Sequence, residues 1–356
     1  MDQAVGAWCG VEGLAFRLSD PDRRLAGVRL VQEIGLPPDR LDFGYDEDER
    51  AWCLRLPRTA AWRMEYLFEQ RHVDGRIERT CDPDNPRRVG GAFGDKSVLE
   101  CPEYAEPEWL GFPAAEGSWR ELTIPAPALG ADVAARVWSP ATRTDLVVVA
   151  HDGPEYDTFA SLGRYSAATI GTGRVPPHHL VLLGPGDRDD WYSANPSYAK
   201  ALADSVLPRL RAECDTRRPV VGVGTSLGGL AMLHAQRRHP RAFAALFLQS
   251  GSFFRPRHDS QESGFAHYRR IVRFTDEVAR AAARIWPSRG RTAVPTVLTC
   301  GLVEENLANN REMARSLRSL GYPVELVEVP DAHNFTGWRD ALDPHLTDLL
   351  RRTWLS

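Results

Sequence analysis

The feature that most constrains this chain is a series of apolar runs that alternate with helical patterns after residue 119. Continuous apolar runs are typical of parallel strands that are buried on both faces of a sheet. Regular alternation of such strands with helices predicts a doubly wound α/β domain. The runs lie at residues 145–151, 179–185, 219–224, 244–250, 295–300 and 324–329. The helical patterns lie at residues 197–214, 227–239, 306–321 and 338–354.

The first 115 residues have a different pattern, in which short apolar or alternating runs are separated by turn-rich stretches. Short strands at such spacing predict an all-β, immunoglobulin-like sandwich. The segment 101–118 is rich in proline, glycine and acidic residues, and we interpret it as a linker. The sequence therefore predicts two domains, a β-sandwich at 1–115 and an α/β catalytic domain at 116–356.

Charge and hydropathy exclude some classes of partner. The net charge is −4, and without a basic surplus we expect no nucleic acid as the main partner. No stretch approaches the roughly 18 apolar residues that a membrane span needs, so no membrane association is expected. The amino terminus lacks the basic and apolar regions of a secretory signal, which favours the cytoplasm.

The six cysteines are scattered along the chain, and none forms a C-x-x-C pair. This usage predicts reduced, mostly buried thiols, in agreement with a cytoplasmic protein. The histidines and cysteines lack the spacing of metal ligands, and no glycine-rich phosphate motif occurs. We therefore expect neither a metal nor another cofactor. The oligomeric state is not indicated by the sequence.

The strongest local motif is G-x-S-x-G, from Gly224 to Gly228, with Ser226 at its centre. An apolar run precedes the motif and a helical pattern follows it, as in the nucleophile elbow of α/β-hydrolases. Glycines are needed there because side chains would collide with the backbone of the neighbouring strand or helix. The motif predicts that Ser226 is a nucleophile.

A serine needs a base, and in this fold the acid and then the histidine follow the serine along the chain. His333 lies in a short loop between an apolar run and the last helical pattern, which is the expected place for the base. The acid is expected after the run at 295–300. Glu304 is the first choice there and Glu305 the second, while Asp331 and a Ser–His pair without a close acid remain alternatives.

The oxyanion of an acyl-transfer intermediate needs two hydrogen-bond donors. The backbone N–H of Leu227, directly after the nucleophile, is predicted to be one. The second is expected in the loop after the run at 145–151, where Pro154 has no N–H to donate. The amide of Glu155 is our prediction, with that of Tyr156 as the alternative.

Several segments resemble the enterochelin (ferric siderophore) esterase family of the α/β-hydrolase superfamily. LAMLHAQRRHP and LFLQSGSFF resemble its serine region, HDGPEY its oxyanion loop, and DAHNFTGWRDAL its histidine segment. CGLVEENLANNREMARSL resembles its acid segment and implies Glu304 as the acid. DPDNPRR and PEYAEPEW resemble its sandwich domain and linker. The chain departs from the family at Asp331-Ala332, Asn334 and Pro154.

The segment 184–198 follows a predicted parallel strand, where ligands bind in such sheets. Arg188 is the best candidate there for substrate binding, because its fork of donors suits anionic or phenolate groups; an internal salt bridge is the alternative. Aromatic side chains are further candidates, with core packing as the alternative. They are Trp191, Tyr192, Phe253, Phe254 and Trp338.

Together these features predict a serine esterase that hydrolyses an ester or lactone through an acyl-enzyme. The resemblance implies a siderophore or another oligoester or depsipeptide as substrate. An acyltransferase or cyclase that uses the same acyl-enzyme remains an alternative, as does a non-catalytic binding protein on a hydrolase fold. A third alternative is a polysaccharide esterase whose sandwich binds glycan, and the lack of a secretory signal argues against it.

Overall fold

The computed structural model describes residues 6–283 and 293–355. Two compact units can be distinguished within it. The first unit comprises residues 1–105 together with two later segments, Gly301–Glu304 and Pro330–Asn334. The second unit comprises residues 106–300, 305–329 and 335–356. The predicted division at 115/116 along the chain stays a prediction.

The first unit is built from short antiparallel strands, which confirms the predicted all-β class. They are β1 (Trp8–Gly10), β2 (Gly13–Ser19), β3 (Leu25–Gln32), β4 (Gly44–Asp46), β5 (Ala51–Leu56), β6 (Arg63–His72), β7 (Ile77–Thr80), β8 (Arg88–Val89) and β9 (Lys96–Glu100). One sheet has the strand order β1-β2-β5-β4, and the other has the order β3-β6-β9-β8, with β7 paired to β6. Alternating side chains such as Phe16, Leu54, Tyr66 and Phe68 form one buried core.

A disulfide bond joins Cys9 to Cys101, which corrects the prediction that all six thiols are reduced. The two residues are 92 positions apart, so no local spacing pattern could reveal the pair. Both are buried in the core of the first unit. Cys53, Cys81, Cys214 and Cys300 are present as thiols, as predicted.

The second unit contains an eight-stranded sheet with the order β10-β11-β13-β12-β14-β15-β16-β17. Strands β12 to β16 pair in parallel, whereas β10 and β11 form an antiparallel hairpin that pairs with β13. The strands are β10 (Gly117–Ala126), β11 (Ala131–Pro140), β12 (Val147–Ala150), β13 (His179–Leu183), β14 (Val220–Thr225), β15 (Phe243–Gln249), β16 (Thr296–Gly301) and β17 (Val324–Val329). The predicted α/β class is confirmed.

Helices lie between these strands and after the last of them, and they pack apolar side chains on the sheet. They are α1 (Gly153–Ala160), α2 (Leu162–Gly171), α3 (Arg188–Tyr192), α4 (Pro196–Ala201), α5 (Leu207–Glu213), α6 (Ser226–Arg238), α7 (Tyr268–Ala282), α8 (Leu307–Ser319), α9 (Phe335–Asp340) and α10 (Thr347–Trp354). The single helix predicted at 338–354 is wrong, because the chain is extended at Asp343, before Pro344. Proline disfavours helical geometry in the residue before it, which explains the break.

The segment 101–118 is more ordered than a linker. It contains a short 3₁₀ turn at Glu108–Gly111, and the Trp109 ring in this turn is fully buried in the core of the second unit. Strand β10 already begins at Gly117. Among the residues that the structure describes, no helix is both long and apolar enough to span a bilayer.

Candidate active site

Ser226 lies at the junction between β14 and α6, in the left-handed backbone region with φ of 52°. A residue with a side chain is strained there, and such strain is concentrated at functional sites. A Cβ at Gly224 would collide with the carbonyl oxygen of Gly228, so only glycine allows the turn to close. The local geometry is that of a nucleophile elbow, as the G-x-S-x-G motif predicts.

The hydroxyl of Ser226 has a second serine beside it. The Oγ atoms of Ser226 and Ser252 are 3.2 Å apart, and the Ser252 N–H donates to the Ser226 carbonyl at 3.1 Å. Ser252 follows β15 and is buried. No motif marks Ser252, because its closeness to the elbow depends on the pairing of β14 with β15.

Glu304 and His333 form a hydrogen-bonded pair at the ends of two neighbouring strands. Glu304 Oε2 is 2.9 Å from His333 Nδ1, and its Oε1 accepts the Gly301 N–H at 2.7 Å. The Glu304 side chain is 1% exposed and that of His333 is 32% exposed. A buried carboxylate with two donors is fixed in orientation, and it holds the proton of neutral His333 on Nδ1. Nε2 is then the nitrogen that accepts protons.

The neighbouring carboxylate has a different environment. Glu305 is exposed, and its Oε2 accepts a hydrogen bond from Gln261 Nε2 at 3.3 Å. The third acidic candidate, Asp331, accepts bonds from the Ala332 N–H at 2.7 Å and from Asn334 Nδ2 at 2.9 Å. Of the three carboxylates weighed on sequence, Glu304 is thus the one that the structure pairs with His333.

Gly301 allows the two loops that carry the acid and the base to approach each other. A Cβ at this position would collide with the carbonyl oxygen of Asp331 and would crowd the carboxylate of Glu304. Any other residue would therefore push apart the loops at 301–304 and 330–334. This requirement depends on the contact between the loops, so the sequence alone does not predict it.

Both loops belong to the first unit rather than to the unit of the strands that precede them. The backbone N–H of Trp62 donates to the Pro330 carbonyl at 2.8 Å, and the Trp62 carbonyl accepts the Cys101 N–H at 2.8 Å. Ala332 is buried among the side chains of the sandwich core, and Val303 packs against the same core. The positions of Glu304 and His333 thus depend on residues of the all-β unit.

The predicted oxyanion loop lies between β12 and the start of α1. The N–H of Tyr156 donates to the Asp152 carbonyl at 2.8 Å, so this amide is already bonded within the helix. Glu155 lies one residue earlier, in the first helical turn, where N–H groups have no acceptor within the helix. This hydrogen-bond pattern therefore favours the amide of Glu155 over that of Tyr156 as the second oxyanion donor.

The predicted substrate-binding side chains have partners inside the second unit. The fork of Arg188 faces Asp152, with Nε to Oδ1 at 2.8 Å and Nη2 to Oδ2 at 2.9 Å. The internal salt bridge, which is the alternative to substrate binding for Arg188, is thus present. Trp191 and Tyr192 are buried in one core cluster and Trp338 in another, where its Nε1 donates to Ser250 Oγ at 2.9 Å. Their contact with a substrate stays a prediction.

Phe253 and Phe254 are also buried in the core.

Across residues 6–283 and 293–355, no group of three or more histidine, cysteine or acidic side chains is arranged to hold a metal ion.

Sequence reasoning did not single out His151, which directly follows β12 and contacts the elbow helix. Its imidazole is fully buried, and burial lowers its pKa to about 4. Nδ1 lies 2.9 Å from the Gly228 carbonyl, in the elbow helix. The signal that could have revealed it is its place at the end of a parallel strand, just before the Asp-Gly pair.

Comparisons with known proteins find one family and several relatives. The model of the Esterase family, described as “Putative esterase”, matches residues 127–349. The chain is similar to an iron(III) enterobactin esterase of Dickeya dadantii (strain 3937). The two are 24% identical over 336 residues, which cover 86% of this chain and 69% of that protein.

Solved structures share the fold over nearly the whole chain. An enterobactin esterase of Shigella flexneri, crystallised in the presence of 2,3-dihydroxy-N-benzoyl-serine, has a TM-score of 0.74 and 19% identity, with 95% of this chain and 93% of that chain covered. A ferric enterobactin esterase of Salmonella typhimurium has a TM-score of 0.76 and 18% identity, with 97% and 96% covered. A ferulic acid esterase matches 66% of this chain and 99% of its own, with a TM-score of 0.55.

Proposed function

The chain belongs to the Esterase family, and from that premise we propose that it cleaves an ester or lactone bond of a siderophore or a related oligoester through an acyl-enzyme on Ser226. The predicted ester hydrolase and the resemblance to enterochelin esterases are confirmed by the family and the relatives. The choice of a siderophore substrate rests on the enterobactin esterases that the chain resembles.

The observation that carries the mechanism is the hydrogen bond of 2.9 Å between Glu304 and His333. Because Glu304 holds the Nδ1 proton, Nε2 of His333 is available to take the proton of Ser226 Oγ as it attacks the ester carbonyl. Ser226, Glu304 and His333 follow β14, β16 and β17, which are strands of one sheet. Their positions after strands of one sheet support the proposed triad, because hydrolase sites lie beyond the carboxyl ends of such strands.

The remaining steps follow from ordinary acyl-transfer chemistry. The N–H groups of Leu227 and Glu155 are proposed to stabilise the negative oxygen of the tetrahedral intermediate. Protonated His333 then gives its proton to the leaving alcohol, and the acyl group remains on Ser226. A water molecule, deprotonated by His333, releases the acid and restores the serine.

The test compares Ser226→Ala with Ser252→Ala, because the Oγ atoms of these two serines are 3.2 Å apart. Substrates are p-nitrophenyl acetate and the enterobactin trilactone, and products are read by mass spectrometry. We expect Ser226→Ala to abolish hydrolysis and labelling by a fluorophosphonate probe, whereas Ser252→Ala keeps the label. Labelling of Ser252, or full activity of Ser226→Ala, would show that the nucleophile is wrong.

The compartment is a separate proposal. The sparse cysteine usage favours the cytoplasm, whereas the bond between Cys9 and Cys101 is of a kind that persists mainly in oxidising compartments. Cell fractionation, with thiols alkylated before lysis, tests the cytoplasmic assignment. Recovery of the protein outside the cytoplasmic fraction would contradict it.

A further inference from the structure

An ion pair close to the elbow joins Arg188, the first residue of α3, to Asp152, the residue before α1. Both nitrogens of the guanidinium edge face the carboxylate, at 2.8 Å and 2.9 Å. The Asp152 side chain is 7% exposed and that of Arg188 is 37% exposed. A bidentate pair that is partly shielded from water fixes both distance and direction, unlike an exposed single contact.

The backbone of Asp152 is strained and needs such support. Its φ is 49°, a left-handed conformation that non-glycine residues rarely adopt without compensating contacts. Its N–H donates to the hydroxyl of Tyr192 at 3.3 Å, and its carbonyl accepts the Tyr156 N–H at 2.8 Å. With the carboxylate bound to Arg188, the side chain and both backbone groups of Asp152 are held.

His151, the residue before Asp152, connects this loop to the elbow. Its low pKa keeps the imidazole neutral at ordinary pH, because burial disfavours the charged form. The Gly228 carbonyl can only accept, so Nδ1 donates to it at 2.9 Å, and Nε2 accepts from the Tyr198 hydroxyl at 2.9 Å. The ring also stacks on Tyr192, with centroids 4.6 Å apart.

The side chains of His151 and Asp152 also pack closely against the elbow at Gly228. A Cβ at Gly228 would lie 3.0 Å from the His151 Cβ and 3.2 Å from Asp152 Oδ2, so loop and helix are in close contact there. Leu227, one of the two proposed oxyanion donors, is the residue before Gly228. Glu155, the other, lies three residues after Asp152. Asp152 therefore lies close to the segment of one proposed donor and belongs to the loop of the other.

We propose that Arg188 is a positioning residue for the oxyanion site: its pair with Asp152 holds the loop of Glu155 at the distance from Leu227 that the reaction needs. The proposal rests on the proposed esterase function and deepens it. Preorganised donors are effective only when they already point at the developing charge. Loss of the pair therefore slows the chemical step on any ester, including small neutral ones that Arg188 has no reason to bind.

The experiment measures kcat and KM for p-nitrophenyl acetate in Arg188→Gln, Asp152→Asn and the double variant, with melting temperatures for all. We expect kcat to fall roughly 10- to 100-fold in each single variant, below the full effect of losing an oxyanion donor. KM changes little. The double variant is no slower than the slower single variant, because both substitutions break one interaction. Arg188→Lys keeps the positive charge but lacks the two parallel donors of the guanidinium. We expect its kcat to lie between those of the wild type and Arg188→Gln.

The matched control is Arg218→Gln. Arg218 also pairs with an aspartate, since its Nε is 2.8 Å from Asp145 Oδ2, but both side chains are more than half exposed. We expect its kcat to equal that of the wild type. Should Arg188→Gln fail to fold, Arg188→Lys and Asp152→Asn carry the comparison alone.

Three outcomes overturn the proposal. The first is an unchanged kcat on p-nitrophenyl acetate combined with a raised KM for anionic esters, which makes Arg188 a substrate contact. The second is a lower melting temperature with an unchanged kcat in the folded fraction. The third is an additive loss in the double variant. Failure of the underlying esterase function is distinct, because then the wild type and Ser226→Ala would behave alike.

Discussion

Replacing Glu304 by glutamine is the sharpest test of the acid, because the carboxylate uses its two oxygens for two different donors. Oε1 accepts the Gly301 N–H at 2.7 Å, and Oε2 accepts His333 Nδ1–H at 2.9 Å. Glutamine has only one oxygen. If that oxygen stays on Gly301, the amide NH₂ faces Nδ1, and the imidazole must carry its proton on Nε2. His333 then has no lone pair with which to accept the proton of Ser226.

The magnitude follows from the other orientation of the amide. Turning the oxygen to His333 preserves the working tautomer but points NH₂ at the Gly301 N–H. An unsatisfied donor in this buried place costs about 1–3 kcal/mol, and loss of the carboxylate charge removes about 1.5–3 kcal/mol from the protonated imidazole. A barrier raised by roughly 2.5–6 kcal/mol lowers kcat/KM about 10²- to 10⁴-fold.

The assay is kcat/KM for p-nitrophenyl acetate between pH 6 and 9, with urea unfolding to verify the fold. Glu305→Gln is the matched control: the residue is adjacent but exposed, and we expect less than a twofold change. A folded Glu304→Gln enzyme within tenfold of the wild type would refute the reasoning. Equal losses in the two variants would likewise show that Glu304 is not the acid.

Two further predictions concern stability. Burial lowers the pKa of His151, His178 and His234 to about 4 each, below the unfolded value near 6.5. The unfolded chain binds more protons between these values, so stability is complete above about pH 6.5 and falls toward pH 4, by up to about 4 kcal/mol per pH unit; equal urea unfolding free energies at pH 7 and 5 would contradict this. Reduction of the Cys9–Cys101 bond, which closes a loop with a sequence separation of 92, lowers the free energy of unfolding by as much as about 5 kcal/mol. An unchanged guanidinium midpoint in the Cys9→Ser, Cys101→Ser double variant would contradict that estimate.

The sequence predicts those parts of the molecule whose signals are local. Apolar runs identify β12 to β17, and the elbow is readable because strand, motif and helix follow one another within some twenty residues. The helix break at Asp343-Pro344 also has a local signal, the proline, but the amphipathic pattern on both sides favours one continuous helix. Helix α7 was missed because its buried positions, Ile271, Phe274 and Val278, are separated by many arginines and other polar residues.

The rest depends on residues that only the fold brings together. The choice between Glu304 and Glu305 needs the direction of one side chain, which follows from the Gly301 N–H and the neighbouring loop. Asp152 and Arg188 are 36 residues apart in sequence, so their pairing needs β12, β13 and the turn after β13 to be in place. Whether Tyr192 binds a ligand or packs in the core likewise depends on which side chains surround its ring, and the sequence does not show them.

The first unit is made of segments that are far apart along the chain, and this affects how it folds during protein synthesis. A ribosome delivers residues in order, so the strands described above for this unit emerge long before Gly301–Glu304 and Pro330–Asn334. Until then, Trp62 has no carbonyl of Pro330 to bond, and the place of Ala332 in the apolar core stays empty. The nascent sandwich therefore exposes apolar surface for most of translation, a state that invites chaperone binding or aggregation. The segment that completes its core is the one that delivers His333, so maturation of the scaffold and arrival of the base are a single late event.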